Sequence, residues 1–203
     1  MFRELFNGCI IASVAHAISM SRNSDFSYEQ SWDGNNYSFK QLFGFEGTFT
    51  FCSSYSCGAV RINQNGARLR YEYVSYYPNI INETINNECL QYLLEDFNGL
   101  IKPEFSFSFW ISEKEVISLD DERNDLKTVL SLFLGPQKSI YDTWIRYYSL
   151  ESSEISLLHY ITSLRLRSGS NDLYVKRSVV EDHKITISEE LIESLKEMHI
   201  ILV

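Results

Sequence analysis

The chain has 203 residues, 44% of them hydrophobic and 22% charged, with three prolines, a composition that predicts a fold throughout and excludes a disordered or linker-rich protein. Its formal net charge of -9, from 18 Lys+Arg against 27 Asp+Glu with no clustered basic residues, argues against a nucleic-acid binder and favours a basic partner. No stretch reaches the roughly 18 apolar residues of a spanning helix, so a membrane protein is not expected.

From Phe2 to Met20, Phe2, Leu5, Phe6, Cys9, Ile10, Ala12, Val14 and Ala17 recur at helical spacing. This segment reads as a helix buried along much of its length. Arg3 followed by the apolar stretch Cys9–Ala17 is not expected to act as a signal peptide, because Glu4 and His16 interrupt it and Cys9 stands too close to Met1. After Ser21–Asp25 the pattern turns to strands: Phe26–Trp32 and Tyr37–Leu42 flank Asp33-Gly34-Asn35-Asn36, a turn composition suited to positive φ. Gly47–Cys52 alternates Thr48, Phe49, Thr50, Phe51 with the period of a strand, and Gly58–Asn63 and Ala67–Val74 flank Gln64-Asn65-Gly66, a strong hairpin signal. Phe26–Val74 therefore reads as an antiparallel meander of about four or five strands.

Glu83–Phe97 returns to helical spacing through Ile85, Cys89, Tyr92, Leu93 and Phe97, with Asn98-Gly99 as its stop. Phe105, Phe107 and Phe109 alternate with Ser106 and Ser108, which predicts a strand with one aromatic and one small polar face. Asp120, Asp121 and Glu122 suit the positive end of a helix carrying Leu126, Val129, Leu130 and Phe133, which Gly135-Pro136 terminates. Ser139–Leu150 reads as helix. Ser152–Arg167 fits a helix through Ile155, Leu158, Ile161 and Leu164, although Leu164, Leu166 and Leu173–Val180 are also compatible with strand. Thr186 with Glu189 resembles a capping box, with Ser188 as the rival cap, ahead of Leu191, Leu195 and Met198; Ile200–Val203 closes as a short strand. The fold class is α+β, with the meander in the N-terminal half packed against several helices. One domain spans residues 1–203, with sub-lobes 1–98 and 99–203 as the alternative.

Local catalytic signatures are absent. His16, His159, His183 and His199 are isolated, and Cys9, Cys52, Cys57 and Cys89 form no Cys-x-x-Cys pair, so no metal site and no cofactor are expected. Buried thiols in a reducing, cytoplasmic setting are the expected state of the cysteines; Cys52 and Cys57 could bridge in an oxidising one. Cys9 and His16 lie two helical turns apart, roughly 10 Å along the axis, too far for direct proton transfer. Neither a Gly-x-Ser-x-Gly elbow nor a phosphate-cradling glycine loop occurs. Asp120-Asp121-Glu122 and Glu189-Glu190-Glu193 fit helix starts better than acid–base pairs. Arg61, Arg68 and Arg70 with Tyr71 and Tyr73 form a small basic–aromatic ribbon, which reads as a solvated strand face.

Ser31-Trp32-Asp33-Gly34-Asn35-Asn36-Tyr37, followed by Gly47-Thr48-Phe49-Thr50-Phe51 and Gly58-Ala59-Val60-Arg61, resembles the opening of small acidic bacterial proteins of the polymorphic-toxin immunity type. The resemblance covers about 30 residues and brings no active-site residues with it. It implies a non-enzymatic protein that binds and blocks a cognate toxin, commonly a basic nuclease, through an acidic surface. The expected contacts combine carboxylates with aromatic anchors: Asp33, Tyr76, Tyr77, Asp120, Asp121 and Glu122. Two rivals stay open: an enzyme assembled by the fold around His159 or His183, and a self-associating subunit with an exposed aromatic patch at Phe105–Ile111. The oligomeric state is not legible in the sequence.

Overall fold

The computed structural model of the chain describes residues 1–23, 29–62, 76–118, 124–169 and 171–203. These form two compact units: Met1–Arg3 with Asp33–Leu130, and Glu4–Trp32 with Ser131–Val203. The expected sub-lobe boundary near residue 98 falls inside the first unit.

The N-terminal meander is present as β1 (Gln30–Asp33), β2 (Asn36–Leu42), β3 (Phe45–Phe51) and β4 (Ser56–Ile62). Gly34 takes a φ of 57° in the turn after β1, as the Asp-Gly-Asn-Asn composition requires. The expected strand Ala67–Val74 and its Gln64-Asn65-Gly66 turn lie outside the described residues. Downstream come β5 (Leu94–Phe97), β6 (Leu100–Pro103), β7 (Phe107–Ile111) and β8 (Val116–Ser118). The main sheet has six strands in the order β1-β2-β3-β4-β7-β8, and β5 and β6 form a separate hairpin. The β2/β3, β3/β4, β4/β7 and β7/β8 pairings are antiparallel, so the fold class is α+β.

Both faces of the middle strands are buried. In one row of the register Phe49, Gly58 and Phe109 stand opposite one another. A Cβ on Gly58 would come within 2.7 Å of both rings, so the missing side chain is what lets them meet, with centroids 5.3 Å apart and edge to face. The next row holds Ser38, Thr48, Ala59 and Ser108, and these small residues are covered too. Phe105, Phe107, Phe109 and Ile111 are fully buried, so this strand offers no exposed aromatic patch.

One expected element is corrected. Glu83–Phe97 is not a continuous helix: α2 runs Asn79–Asn87, a short 3-10 turn runs Cys89–Leu93, and the remainder is strand β5. Asn98 and Gly99, at φ of 57° and 86°, are not a helix stop but the two-residue turn joining β5 to β6. That conformation at both central positions is the hairpin turn Asn-Gly favours, and Asp96 accepts the Gly99 amide at 2.6 Å. The helix yields at Glu88, whose φ of -115° breaks the run before Cys89. Ile81 and Ile85 of α2, with Cys89, Leu90 and Leu93, then pack with Cys57, Ala59, Tyr77 and Phe105.

Helices dominate the second unit. The helical spacing of the first twenty residues becomes α1 (Phe2–Met20), buried almost continuously from Gly8 onward. α3 (Asn124–Ser131) belongs, but for its last residue, to the first unit, and α4 (Gln137–Tyr147) and α5 (Ser152–Ser168) to the second. The strand alternative for Leu164 and Leu166 is therefore excluded. A capping box holds the start of α5, where Glu151 and Glu154 exchange side-chain and backbone contacts; its carboxylate version was not anticipated. β9 (Leu173–Val175), α6 (Arg177–Asp182), α7 (Glu189–Glu197) and β10 (Ile200–Leu202) complete the chain, β10 pairing parallel with β9. Ser188, not Thr186, caps α7 by accepting the Leu191 amide.

The end of α4 is a Schellman motif: Ser149 N–H reaches Arg146 O and Leu150 N–H reaches Ile145 O. Ser149 is exposed at a φ of 50°, a conformation that costs an L side chain about 1–2 kcal/mol. Ser149→Gly removes that cost and adds part of it back as unfolded-chain entropy. The expected net effect is a gain of about 0.5–1 kcal/mol, read as a higher urea midpoint with unchanged slope.

Candidate partner-binding face

Of the six sequence-nominated contact residues, Asp33 stands in a built arrangement. It ends β1, is exposed, and accepts the hydroxyl of Tyr92 at 2.7 Å from the 3-10 turn. Asn36, which begins β2 on the far side of the Gly34 turn, donates its amide to Glu88 at 2.8 Å. Burial first, and the hydrogen bond to Asp33 next, push the Tyr92 phenol up, with the charges of Asp33 and Glu88 acting in the same direction. Two carboxylates, one by a hydrogen bond and one by its charge, thus act on one partly buried aromatic ring within the first unit. Glu88, Asn36 and Tyr92 were not anticipated. Helical spacing places Tyr92 on the apolar face of a continuous helix; the break at Glu88 instead brings its hydroxyl to Asp33.

The arrangement is anchored from below by a directed chain of hydrogen bonds. Thr50 Oγ1 donates to Asn36 Oδ1 at 2.7 Å, and the Cys89 thiol lies 3.1 Å from Thr50 Oγ1. With its own proton committed to Asn36, Thr50 accepts from Cys89. The surface carboxylate Glu88 is therefore tied through Asn36 and Thr50 to the core of the sheet.

The other nominees divide. Tyr76 is 77% exposed, as an anchor ring should be in the unbound state. Tyr77 is turned inward, 4% exposed, and its hydroxyl donates to Ser108 O at 2.7 Å. It holds the sheet and presents no contact surface. Asp120, Asp121 and Glu122 lie outside the described residues. Arg61, first of the basic–aromatic ribbon, is ion-paired with Glu46 and Glu95, which neutralises its charge locally; Arg68, Arg70, Tyr71 and Tyr73 lie outside the described residues.

Groups that could support catalysis are placed elsewhere. His159 packs its ring on Tyr141 at 4.2 Å, and His183 Nδ1 lies 2.7 Å from Val179 O, so neither candidate base is shown against a carboxylate. His199 does meet one, Asp172, at 3.0 Å, but both side chains are about half exposed. A His–Asp pair orients an imidazole. An open cleft of about 660 Å³ in the second unit is lined by Leu150, Glu151, Ser152, Ser153, Ile155, Asp182 and Lys184, with no His or Cys among them. No group of three or more His, Cys, Asp or Glu residues among the described residues could hold a metal ion. Cys9 is fully buried, and burial pushes its thiol up, away from nucleophilic use. No helix among the described residues is long and apolar enough to cross a membrane.

The second unit also holds a buried polar chain. Trp32 Nε1 donates to Ser13 Oγ at 2.8 Å, Ser13 Oγ to Gln30 Oε1 at 3.4 Å, and Gln30 Nε2 to the Tyr148 hydroxyl at 2.7 Å. Tyr148 in turn donates to Glu29 at 3.0 Å, and Tyr147 donates to its other oxygen at 3.3 Å. Burial holds the Glu29 carboxyl above its ordinary range against the two phenols, which lower it. The same burial, reinforced by the Glu29 charge, pushes Tyr147 up to about 12 and Tyr148 well upward.

No family model, no curated protein and no solved structure matches this chain.

Proposed function

We propose that this chain is a non-enzymatic binding protein that neutralises a basic protein partner, most concretely a bacterial, cytoplasmic immunity protein acting on a cognate toxin domain. The observation that carries the reading is the Asp33–Tyr92–Glu88 arrangement, two carboxylates that act on one aromatic ring, in a chain of net charge -9. Carboxylates at a rim steer a basic partner and fix its register, and a tyrosine supplies contact area at low conformational cost. Exposed Tyr76 adds a second ring of the same type.

The test is a calorimetric titration of the full chain against purified basic nuclease-toxin domains, first any encoded beside its own gene, at low and at physiological salt. Parent protein is expected to bind with an affinity that weakens as salt rises. The Asp33→Lys, Glu88→Lys double variant should bind at least about 100-fold more weakly, the size expected for charge pairs turned repulsive. Circular dichroism of the variant serves as the folding control. Tyr76→Ala, on a ring 77% exposed, leaves the fold intact and should lose binding through contact area alone. Reversal of Asp120, Asp121 and Glu122 tests the remaining acidic nominees separately. Parent-like affinity in the double variant would remove this face from the interface, and no binding by the parent would remove the reading.

A further inference from the structure

Three of the four cysteines, Cys52, Cys57 and Cys89, belong to the first unit, and none is in a disulfide. The sequence pairs Cys52 with Cys57 by proximity. The fold instead brings Cys57 to Cys89, 32 positions away, with the two sulfurs 3.8 Å apart. Cys57 is the second residue of β4, opposite Thr50 on β3 and Trp110 on β7, and Cys89 opens the 3-10 turn laid over that face. Both side chains are fully buried among Ala59, Ile85, Leu90 and Phe105.

We propose that Cys57 and Cys89 are a closable dithiol, a site of reversible oxidation to an internal disulfide that staples the turn to the sheet. Bond formation requires the sulfurs to approach to about 2.05 Å, a movement within reach of side-chain rotation when they already touch. Polar contacts keep the Cys89 thiol directed at Cys57. Cys89 gives its proton to Thr50, as described above, which leaves its sulfur lone pairs facing the Cys57 thiol. Cys89 Sγ also lies 3.7 Å from the carbonyl of Cys57 itself, which confines it to the same place.

The co-reactant is a small-molecule disulfide. One cysteine loses its proton and attacks it, forming a mixed disulfide and releasing one small thiolate. The second cysteine then attacks the protein sulfur of that mixed disulfide, the Cys57–Cys89 bond forms, and the second small thiolate leaves. The two protein protons end on the two released thiols, and the two electrons lost by the cysteines reduce the small disulfide. The reaction is slow in the native state. The hydrogen bond to Cys89 and burial push the Cys57 thiol up, and the charges of Cys52 and Glu88 add to this, with the Tyr55 hydroxyl close by. Oxidation therefore waits for local opening of the turn, and once closed the bond is protected by the same burial.

The experiment exposes the native full chain to oxidised glutathione without denaturant, quenches free thiols with an alkylating agent, and maps tryptic peptides. Cys52 and Cys57 share the peptide ending at Arg61, and Cys89 lies on the peptide spanning 71–114, so the proposed bond appears as a cross-link between the two. The Cys52→Ser variant should keep the cross-link, which assigns it to Cys57. Oxidised protein should melt about 5–10 °C higher than reduced protein, the shift expected from closing a loop of this length, and dithiothreitol should reverse it. Unreacted Cys57 and Cys89 after prolonged exposure would overturn the proposal. So would a cross-link lost in Cys52→Ser, or a melting point that does not rise.

Discussion

Gly8→Ala is expected to destabilise the protein by about 3 kcal/mol or more, although alanine is the better helix former. Gly8 lies in α1, and a Cβ there would sit 1.8 Å from the carbonyl oxygen of Phe133 and 2.6 Å from its carbonyl carbon. The obstacle is backbone, so it cannot rotate away as a side chain would. Helix propensity alone predicts the opposite sign, a gain of about 1 kcal/mol. The two effects are therefore distinguished by direction and not merely by size. Relief would require α1 and the chain at Phe133 to separate, which opens voids around Phe133 and the Trp144 ring it meets at 5.4 Å. Urea unfolding followed by circular dichroism checks the expectation, with Asn7→Ala, at an exposed position of the same helix, as the reference substitution. A Gly8→Ala protein as stable as its parent would mean that α1 does not approach the Phe133 backbone this closely.

That contact also marks the boundary of what the sequence discloses. The α1 helix is legible because its periodicity is local, and so is the meander, whose turns and alternating strands are specified by adjacent residues. Gly8 looks in the sequence like an ordinary weak point of a helix; its role depends on a chain segment 125 positions away. The same limit explains the misread stretch Glu83–Phe97. Its apolar residues recur at helical spacing, and the competing signal, Asn98-Gly99 as a hairpin turn, acquires meaning only when Leu94–Phe97 finds Leu100–Pro103 as its partner. Of the candidate face, Asp33 was legible because it sits in a turn. Glu88 and Tyr92 were not, because the helix break that exposes them is a tertiary effect: Cys89 and Leu90 are drawn into the sheet core with Cys57 and Ala59. Tyr77 was nominated from composition beside Tyr76, and only packing separates the buried ring from the exposed one.

Stability should fall steeply between a pH of about 10, where an ordinary tyrosine titrates, and about 12, where Tyr147 titrates in the fold. The direction follows from the two states. In the unfolded chain the phenols of Tyr147 and Tyr148 ionise at their ordinary value. In the folded chain, burial and the Glu29 charge keep both protonated to higher pH. Across that window the unfolded state has released protons that the folded state still holds, so rising pH favours unfolding. The stabilisation is complete below the unfolded value and is lost as pH climbs toward the folded one. For a fully shielded group a shift of this size corresponds to roughly 2.7 kcal/mol, and Tyr147, only about half buried, contributes a fraction of it. Tyr148 is more deeply placed, 4% exposed, and contributes more. Glu29 does not move in this range: its raised carboxyl pKa makes its own cost appear near acid pH, where stability falls as pH rises through the carboxylate range and then levels. Urea midpoints measured across the alkaline range, with phenolate absorbance recorded in parallel, separate these contributions. Tyr147→Phe should flatten the alkaline slope in part, because it removes one of the two phenols while leaving Tyr148 on Glu29. Glu29→Gln should also flatten it in part, since the charge that reinforces burial against both ionisations is gone. A stability that stays level beyond the ordinary tyrosine range, or a slope unchanged in both variants, would show that these phenols ionise as freely in the fold as outside it.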